Sequence, residues 1–442
     1  MPLVDARIAR KALEIAWPLM VADSSLSIAW IVDTYFVGGL GYESIAAVGA
    51  AGYLVWLFMV FSTLVYMGML VLLGQATGAG EKGILEKVSG EGLTLSALLG
   101  AAVIVLGIPA SKWALAFLAR DVYDIAWDYM WVSLIGVGIH YIALAYDSVF
   151  RALGRTKPIL YSSLLFSLLN AVLDPILIYG YFGLPALGVS GAAWAVVIAS
   201  IASTVSLAYF SRNLEVRVRP LLPGRTSVEI LKLGFPSMVE RVVFVLGNVV
   251  YLGSISRCGE EALAAHTIGV RVESIAFLPM FSMATAAGVM VGWDVGSGRI
   301  EESKKVGWEL IKASVIIGLV IGLALAAGGW FIGGFFTDSV EVAWLAGVYL
   351  LIAGLTEPLL GAVMTVAQII RNAGDTRTPT ILNLSSLYIL RVIPAYLLPG
   401  LMPEGLCALG AWLAMAVDIV GRGLIFSVIY AAYYQKLARK IV

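Results

Sequence analysis

Twelve stretches of the chain are apolar for about 20 residues or more: near 13–38, 46–73, 89–109, 126–149, 159–180, 186–210, 229–256, 262–291, 306–332, 342–369, 379–399 and 405–433. A helix of about 20 apolar residues crosses the hydrocarbon of a bilayer. The runs are continuous rather than alternating over ten-residue segments, which selects helices over barrel strands. Charged residues make up 13% of the chain, about half the share of a soluble domain. The pattern predicts an all-α polytopic membrane protein with twelve transmembrane helices. The loops are short, so no soluble domain is expected. The first stretch is too long for a secretory signal and lacks its small-residue cleavage site.

Net charge is zero, so the total says nothing about partners, but its distribution does. Arg7, Arg10, Lys11, Lys82, Lys87, Arg151, Arg155, Lys157, Arg212, Arg217, Arg219, Arg225, Lys232, Arg299, Lys304, Lys305, Arg371, Arg377, Lys436, Arg439 and Lys440 fall on one set of loops, and Lys112, Arg120 and Arg257 on the other. Cations concentrate on the cytoplasmic side, so both termini are expected there, in the cell membrane. The only cysteines, Cys258 and Cys407, make no disulfide framework. Both lie near outer helix ends, and a single bridge between them is left open.

The chain also repeats itself. Trp17-Pro18 returns as Phe235-Pro236, Gly41-Tyr42-Glu43 as Gly259-Glu260-Glu261, and Gly74-Gln75-Ala76 as Gly292-Trp293-Asp294, each at an offset of 218. Arg151-Ala152-Leu153-Gly154 is answered by Arg371-Asn372-Ala373-Gly374. Six helices follow six, an even number, so both copies enter the membrane with the same orientation. The expected organisation is an N-terminal six-helix lobe (1–210), a basic cytoplasmic linker (211–228) and a C-terminal six-helix lobe (229–442), related by an axis along the membrane normal. A duplicated membrane unit of this kind points to transport along a pathway between its copies.

Ionisable residues within membrane segments are costly and hence functional candidates. Glu240, Arg241, Arg271, Glu273, Glu357, Arg391, Asp418 and Arg422 hold both signs, and pairing among them is the favoured reading; Asp418 and Arg422 share a helical face. The first half holds Asp23, Asp33, Asp147 and Asp174, with no intramembrane Lys or Arg in helices 1 to 6. Asp147 has Arg151 four residues on, which makes pairing its favoured role and a cation-coupling role its weaker one. Asp33, Asp174 and, more weakly, Asp23 are left as coupling candidates. A carboxylate in low dielectric without a counter-charge favours its protonated form, the property a proton-coupled carrier needs; with nearby amide oxygens it can instead hold Na+. Asn170 lies four residues before Asp174 on the same face, and Pro175 frees a backbone carbonyl beside them. Asp33 and Asp174 fall at comparable depth, so a shared site is sterically feasible. Pro18 interrupts the ladder of helix 1 fifteen residues before Asp33 and is a candidate hinge. His140 and His266, the only histidines, read as packing residues. Tyr53, Trp56, Phe58, Tyr141 and Trp194 read as lipid contacts, or as the wall of a cavity for flat cations. No nucleotide-binding loop, zinc spacing or hydrolase elbow is present.

These motifs resemble the MATE family of multidrug and toxic compound extrusion transporters, within the MOP superfamily. Val32-Asp33-Thr34-Tyr35-Phe36-Val37-Gly38-Gly39-Leu40-Gly41 is similar to the family's first-helix signature. Arg271-Val272-Glu273-Ser274 through Phe281, with the Gly292…Gly298 turn, is similar to its helix 8 signature, and the Arg151 and Arg371 loops to its paired loops. Asn170-x-x-x-Asp174-Pro175 with Asp33 and Pro18 resembles the prokaryotic DinF-like branch, including archaeal members. The resemblance implies two pseudo-symmetric six-helix bundles around a cleft and export of amphipathic, often cationic compounds in exchange for H+ or Na+. It also implies a coupling role for Asp33 with Asn170 and Asp174, and a bending role for Pro18. The chain departs from the family at Gly292-Trp293-Asp294, where Gly-Gln-Asn is frequent; at Val196, where a threonine is frequent; and at Asp147, where an amide is commoner.

The reading is a secondary active multidrug exporter, not an enzyme, with no cofactor beyond the coupling ion. It is expected to be a monomer in the lipid bilayer with no nucleic-acid partner. The rivals are a lipid-linked oligosaccharide flippase of the same superfamily, which would want a cationic cleft, and a membrane-embedded lipid-modifying enzyme, which would want clustered catalytic residues. The candidate site does not recur in the repeat: Asp33 is answered by Tyr251, Asn170 by Ile389 and Asp174 by Ile393. Ion chemistry is therefore expected in the first lobe alone.

Overall fold

The computed structural model describes residues 4–403 and 405–442. Twelve of its helical segments are long and apolar enough to cross a membrane: α1 (Ala6–Gly38), α2 (Tyr42–Ala79), α3 (Lys82–Leu118), α4 (Arg120–Ala152), α5 (Lys157–Tyr179), α6 (Val189–Ser211), α7 (Arg225–Ser256), α8 (Glu260–Gly296), α9 (Ile300–Phe336), α10 (Val340–Asn372), α11 (Arg377–Leu401) and α12 (Cys407–Leu437). Each apolar stretch of the sequence overlies one of them. Many helices run beyond their apolar stretch, because ends such as Lys82–Glu86 and Ile300–Lys305 carry the charged residues that meet water. The described residues contain no β-strand.

The described residues form two compact units, one spanning 18–238 and the other made of residues 4–17 with 239–403 and 405–441. These differ from the lobes expected from the sequence, which divided at 210 and 229. The chain passes between units immediately before Pro18 and two residues after Pro236, so the boundaries fall within α1 and α7 beside their prolines.

Within the first unit α4 is central, packing on α2, α3 and α6, while α5 packs on α6. Within the second, α10 is central, packing on α8, α9 and α12, while α11 packs on α12. Six positions on, the partners are the same, so the sequence repeat is a repeat of packing. The first core includes Ala47, Ala51, Leu134, Tyr141 and Ala192, and the second Tyr251, Ala346, Tyr349, Leu350 and Trp412. At the α9–α10 crossing a β-carbon on residue 322 would come within 2.1 Å of the Gly354 carbonyl oxygen. Gly322 is therefore what lets the two backbones touch, the usual device of helix association in lipid.

Two interruptions were not legible in the sequence. α2 breaks between Val60 and Thr63 without a proline; Ser62 Oγ donates to the Met59 carbonyl at 2.7 Å, and the Tyr141 hydroxyl from α4 donates to the carbonyl of Phe58. α11 opens into a π-helical turn at Leu387–Val392, just before Pro394. A proline lacks the N–H that an α-helical ladder would use there, and wide turns of this kind often sit at functional positions. Cys258 and Cys407 are joined in a disulfide, Cα atoms 5.4 Å apart, which closes the alternative left open by the sequence.

Candidate functional site

The first unit holds a cavity of about 250 Å³. Asp33 and Trp30 reach it from α1, Tyr129, Ser133 and His140 from α4, Phe166 and Asn170 from α5, and Val196 and Ser200 from α6. The helical period explains the set: Tyr129, Ser133 and Val137 are one α4 face, and Val196 and Ser200 are one α6 face. Asn170 is 2% exposed and Asp174 fully buried. Asn170 Nδ2 donates to Asp174 Oδ1 at 3.1 Å, so the predicted i,i+4 pair ties Asp174 to the cavity wall. Asp174 lies within electrostatic reach of Asp33.

Asp33 Oδ1 and Asp174 Oδ2 are buried without a hydrogen-bond partner, and no ion pair reaches either carboxylate among the described residues. One carboxylate, Asp33, and one amide, Asn170, with Asp174 hydrogen-bonded behind it, border a volume of about 250 Å³, below the roughly 300–1,000 Å³ of a drug-sized pocket. The arrangement can accept a proton, or a small cation with water. The described residues hold no group of three or more His, Cys, Asp or Glu that could bind a metal ion, so a Na+ ion here would take its oxygens from the two carboxylates, Asn170 and hydroxyls such as Ser133 and Ser200.

The other first-half acids lie elsewhere. Asp147 forms an ion pair and two hydrogen bonds with Arg151, and Asp23 sits in the electrostatic field of both. No ion pair reaches Asp23 among the described residues, and its Oδ2 is buried without a hydrogen-bond partner. Cavity residues missed by sequence reasoning are Trp30, Tyr129, Phe166, Ser133 and Ser200; a four-residue spacing of hydroxyls opposite an acid was the available signal. The aromatics singled out earlier act differently. Tyr141 holds the α2 break, and Trp194 packs edge-on to Trp131 at 6.0 Å. His140 lines the cavity, whereas His266 is packed between Tyr251 and Tyr349.

In the second unit most charges pair, over longer reaches than the sequence suggested. Arg371 donates to both oxygens of Glu240 at 2.7 Å, and Thr380 and Asn383 complete that carboxylate's shell at 2.8 Å. Asp418 accepts from Arg422 at 2.7 Å, from Arg391 at 2.9 Å and from Ser386 at 2.6 Å; the last two come from α11, Arg391 from within its π turn. Glu273 accepts from the Tyr349 hydroxyl. Glu357 departs from the expected pairing. It is 1% exposed and neither carboxylate oxygen has a partner. Its backbone and Cβ pack against Gly318 and Gly322 of α9.

The MatE family model matches residues 18–176 and again 236–397. The chain belongs to the MatE family. The two matched segments begin at Pro18 and Pro236, the spacing of the internal repeat. Among its relatives is the probable multidrug resistance protein NorM of Thermotoga maritima, 28% identical over 94% of this chain and 90% of that protein. Another is the probable multidrug resistance protein YoeA of Bacillus subtilis, 26% identical over 96% and 92%. The fold matches that of a multidrug resistance MATE family transporter of the MOP superfamily in an outward-facing conformation, with TM-score 0.89, 21% identity, and 98% and 97% of the two chains covered. Two departures from the MATE pattern acquire a setting. Lys11 Nζ lies 4.8 Å from the centre of the Trp293 ring, and Arg299 pairs with Asp294 at 2.7 Å. Val196 puts an apolar wall where the commoner threonine would offer the cavity a hydroxyl.

Proposed function

We propose that this MATE protein is a secondary active exporter of amphipathic, cationic compounds, driven by inward H+ or Na+, with the ion bound at Asp33, Asn170 and Asp174. The observation that carries the reading is the cation-free Asp33 carboxylate opening on a small cavity whose wall residue Asn170 holds the cation-free Asp174 behind it. An uncompensated charge in low dielectric is expensive, and a proton or Na+ removes that expense. Coupling requires that the ion and the drug favour different conformational states. Pro18 supports a hinge role, since the chain passes from one compact unit to the other at that residue. The export direction rests on the relatives' multidrug resistance names, and the charge distribution supports cytoplasmic termini in the cell membrane. Neither rival gains support: the cavity is acidic rather than cationic, and the described residues hold no cluster of three or more His, Cys, Asp or Glu of the kind a metal-dependent enzyme would want.

The test is uptake of a fluorescent organic cation into proteoliposomes under a pH or Na+ gradient imposed separately. One gradient should accelerate transport in the wild type and leave Asp33→Asn unaffected. Asp33→Asn transport that keeps wild-type rate and ion dependence would sink the assignment.

A further inference from the structure

The segment joining α6 to α7, residues 212–224, lies between two membrane-crossing helices and so runs at a membrane surface. Acids strap it to α3. Glu91 Oε2 accepts from the Gly224 N–H at 2.9 Å and from the Ser227 N–H and hydroxyl at 2.7 Å. Glu86 accepts from the Arg217 N–H at 3.2 Å, and Glu215 pairs with Lys82 at 3.3 Å. The Leu221 N–H donates to the Gly90 carbonyl at 3.1 Å. A β-carbon on residue 90 would come within 2.4 Å of the Arg219 carbonyl oxygen, so the strap lies directly on the α3 backbone.

These contacts use the local acids on backbone amides, one hydroxyl and one lysine. Lys87, Arg219 and Arg225 are left exposed, and no ion pair reaches them among the described residues. Glu229, one turn along α7 from Arg225, forms none either. Beside these cations Leu222 is 89% exposed and Leu221 43%. Lys87, Arg225, Pro220, Leu221 and Leu222 border a groove of about 660 Å³ with Glu91 in its wall. Two of the amides at the start of α7, those of Gly224 and Ser227, are already taken by Glu91, and the exposed cations supply the attraction for an anion.

Exposed cations without an ion-pair partner, beside bare leucines at a bilayer surface, match the two halves of an acidic lipid, headgroup and acyl chain. We propose that this groove seats an anionic phospholipid, with Lys87 and Arg225 around its phosphate, the exposed Arg219 adding charge from the adjoining strap and Leu222 among its chains, so that the lipid pins the linker that starts α7.

Native mass spectrometry of the full chain, titrated with phosphatidylglycerol and with phosphatidylcholine, tests it. The wild type should prefer phosphatidylglycerol by at least tenfold. Lys87→Gln/Arg219→Gln/Arg225→Gln should lose roughly fivefold per cation removed and leave phosphatidylcholine unchanged. Arg225→Gln alone gives the same direction at smaller amplitude if the triple variant folds poorly. Leu222→Ser should weaken both lipids. Glycerol phosphate at matched concentration should not displace the lipid. Equal phosphatidylglycerol affinity in wild type and variants, or displacement by glycerol phosphate, overturns the proposal.

Discussion

At the scale of single residues, the acids of this MATE protein divide by whether a donor faces them. Asp418 is fully buried and accepts from two arginines and a serine. Replacing it strands two buried cations, a loss of about 3–5 kcal/mol. Glu357 is as deeply buried with no hydrogen-bond partner for its carboxylate, so an amide there abandons no partner. Thermal unfolding in detergent should therefore fall steeply for Asp418→Asn and stay level or rise for Glu357→Gln; equal losses would contradict the assigned partners. Asp33 belongs with Glu357 in lacking a donor but differs in opening onto a cavity, which is why its substitution is expected to abolish ion dependence. The pairs at i,i+4, Asp147–Arg151, Asp418–Arg422 and Asn170–Asp174, were legible in the sequence because a helix fixes them. Arg391–Asp418 and Glu240–Arg371 were not, because they join different helices.

At the scale of elements, α7 begins on a cap from another helix. A helix start leaves four amides without intrahelical partners, and Glu91 of α3 takes two of them together with the Ser227 hydroxyl. Glu91→Ala should lower stability by about 1–3 kcal/mol and increase hydrogen exchange at 224–227 specifically; unchanged exchange there would show that the cap is dispensable. α1 has the opposite character, with a proline inside it at the boundary of a compact unit. Pro18→Ala restores a ladder donor and removes a steric conflict, so it should stabilise α1 while slowing proteoliposome transport. Transport at wild-type speed would make Pro18 a passive kink. The α2 break and the α11 π turn escaped sequence reading because the groups that support them, Tyr141 and Asp418, come from α4 and α12.

At the scale of the molecule, the Cys258–Cys407 bridge spans 149 residues of sequence within the second unit. Closing a loop of that length restricts the unfolded chain by up to about 5 kcal/mol. Reductant should lower the melting temperature of the wild type, and leave Cys258→Ser/Cys407→Ser already melting at the lower value. An unchanged wild-type melt would show that the bridge adds no stability. Disulfides persist on the oxidising side of a membrane, which agrees with the outer placement inferred from the loop cations.

The sequence by itself determined the number and order of the membrane-crossing helices, the 218-residue repeat and the family. Hydrocarbon admits only segments that satisfy their own backbone, so composition along the chain dictates spans. Only the tertiary structure decided which buried charges meet, which helix is central to each unit and where the units divide. It also brought Asp33 of α1 and Asn170 of α5 to one cavity with Ser133 of α4. Those outcomes depend on how helices distant in sequence lie against one another, and no local period encodes that.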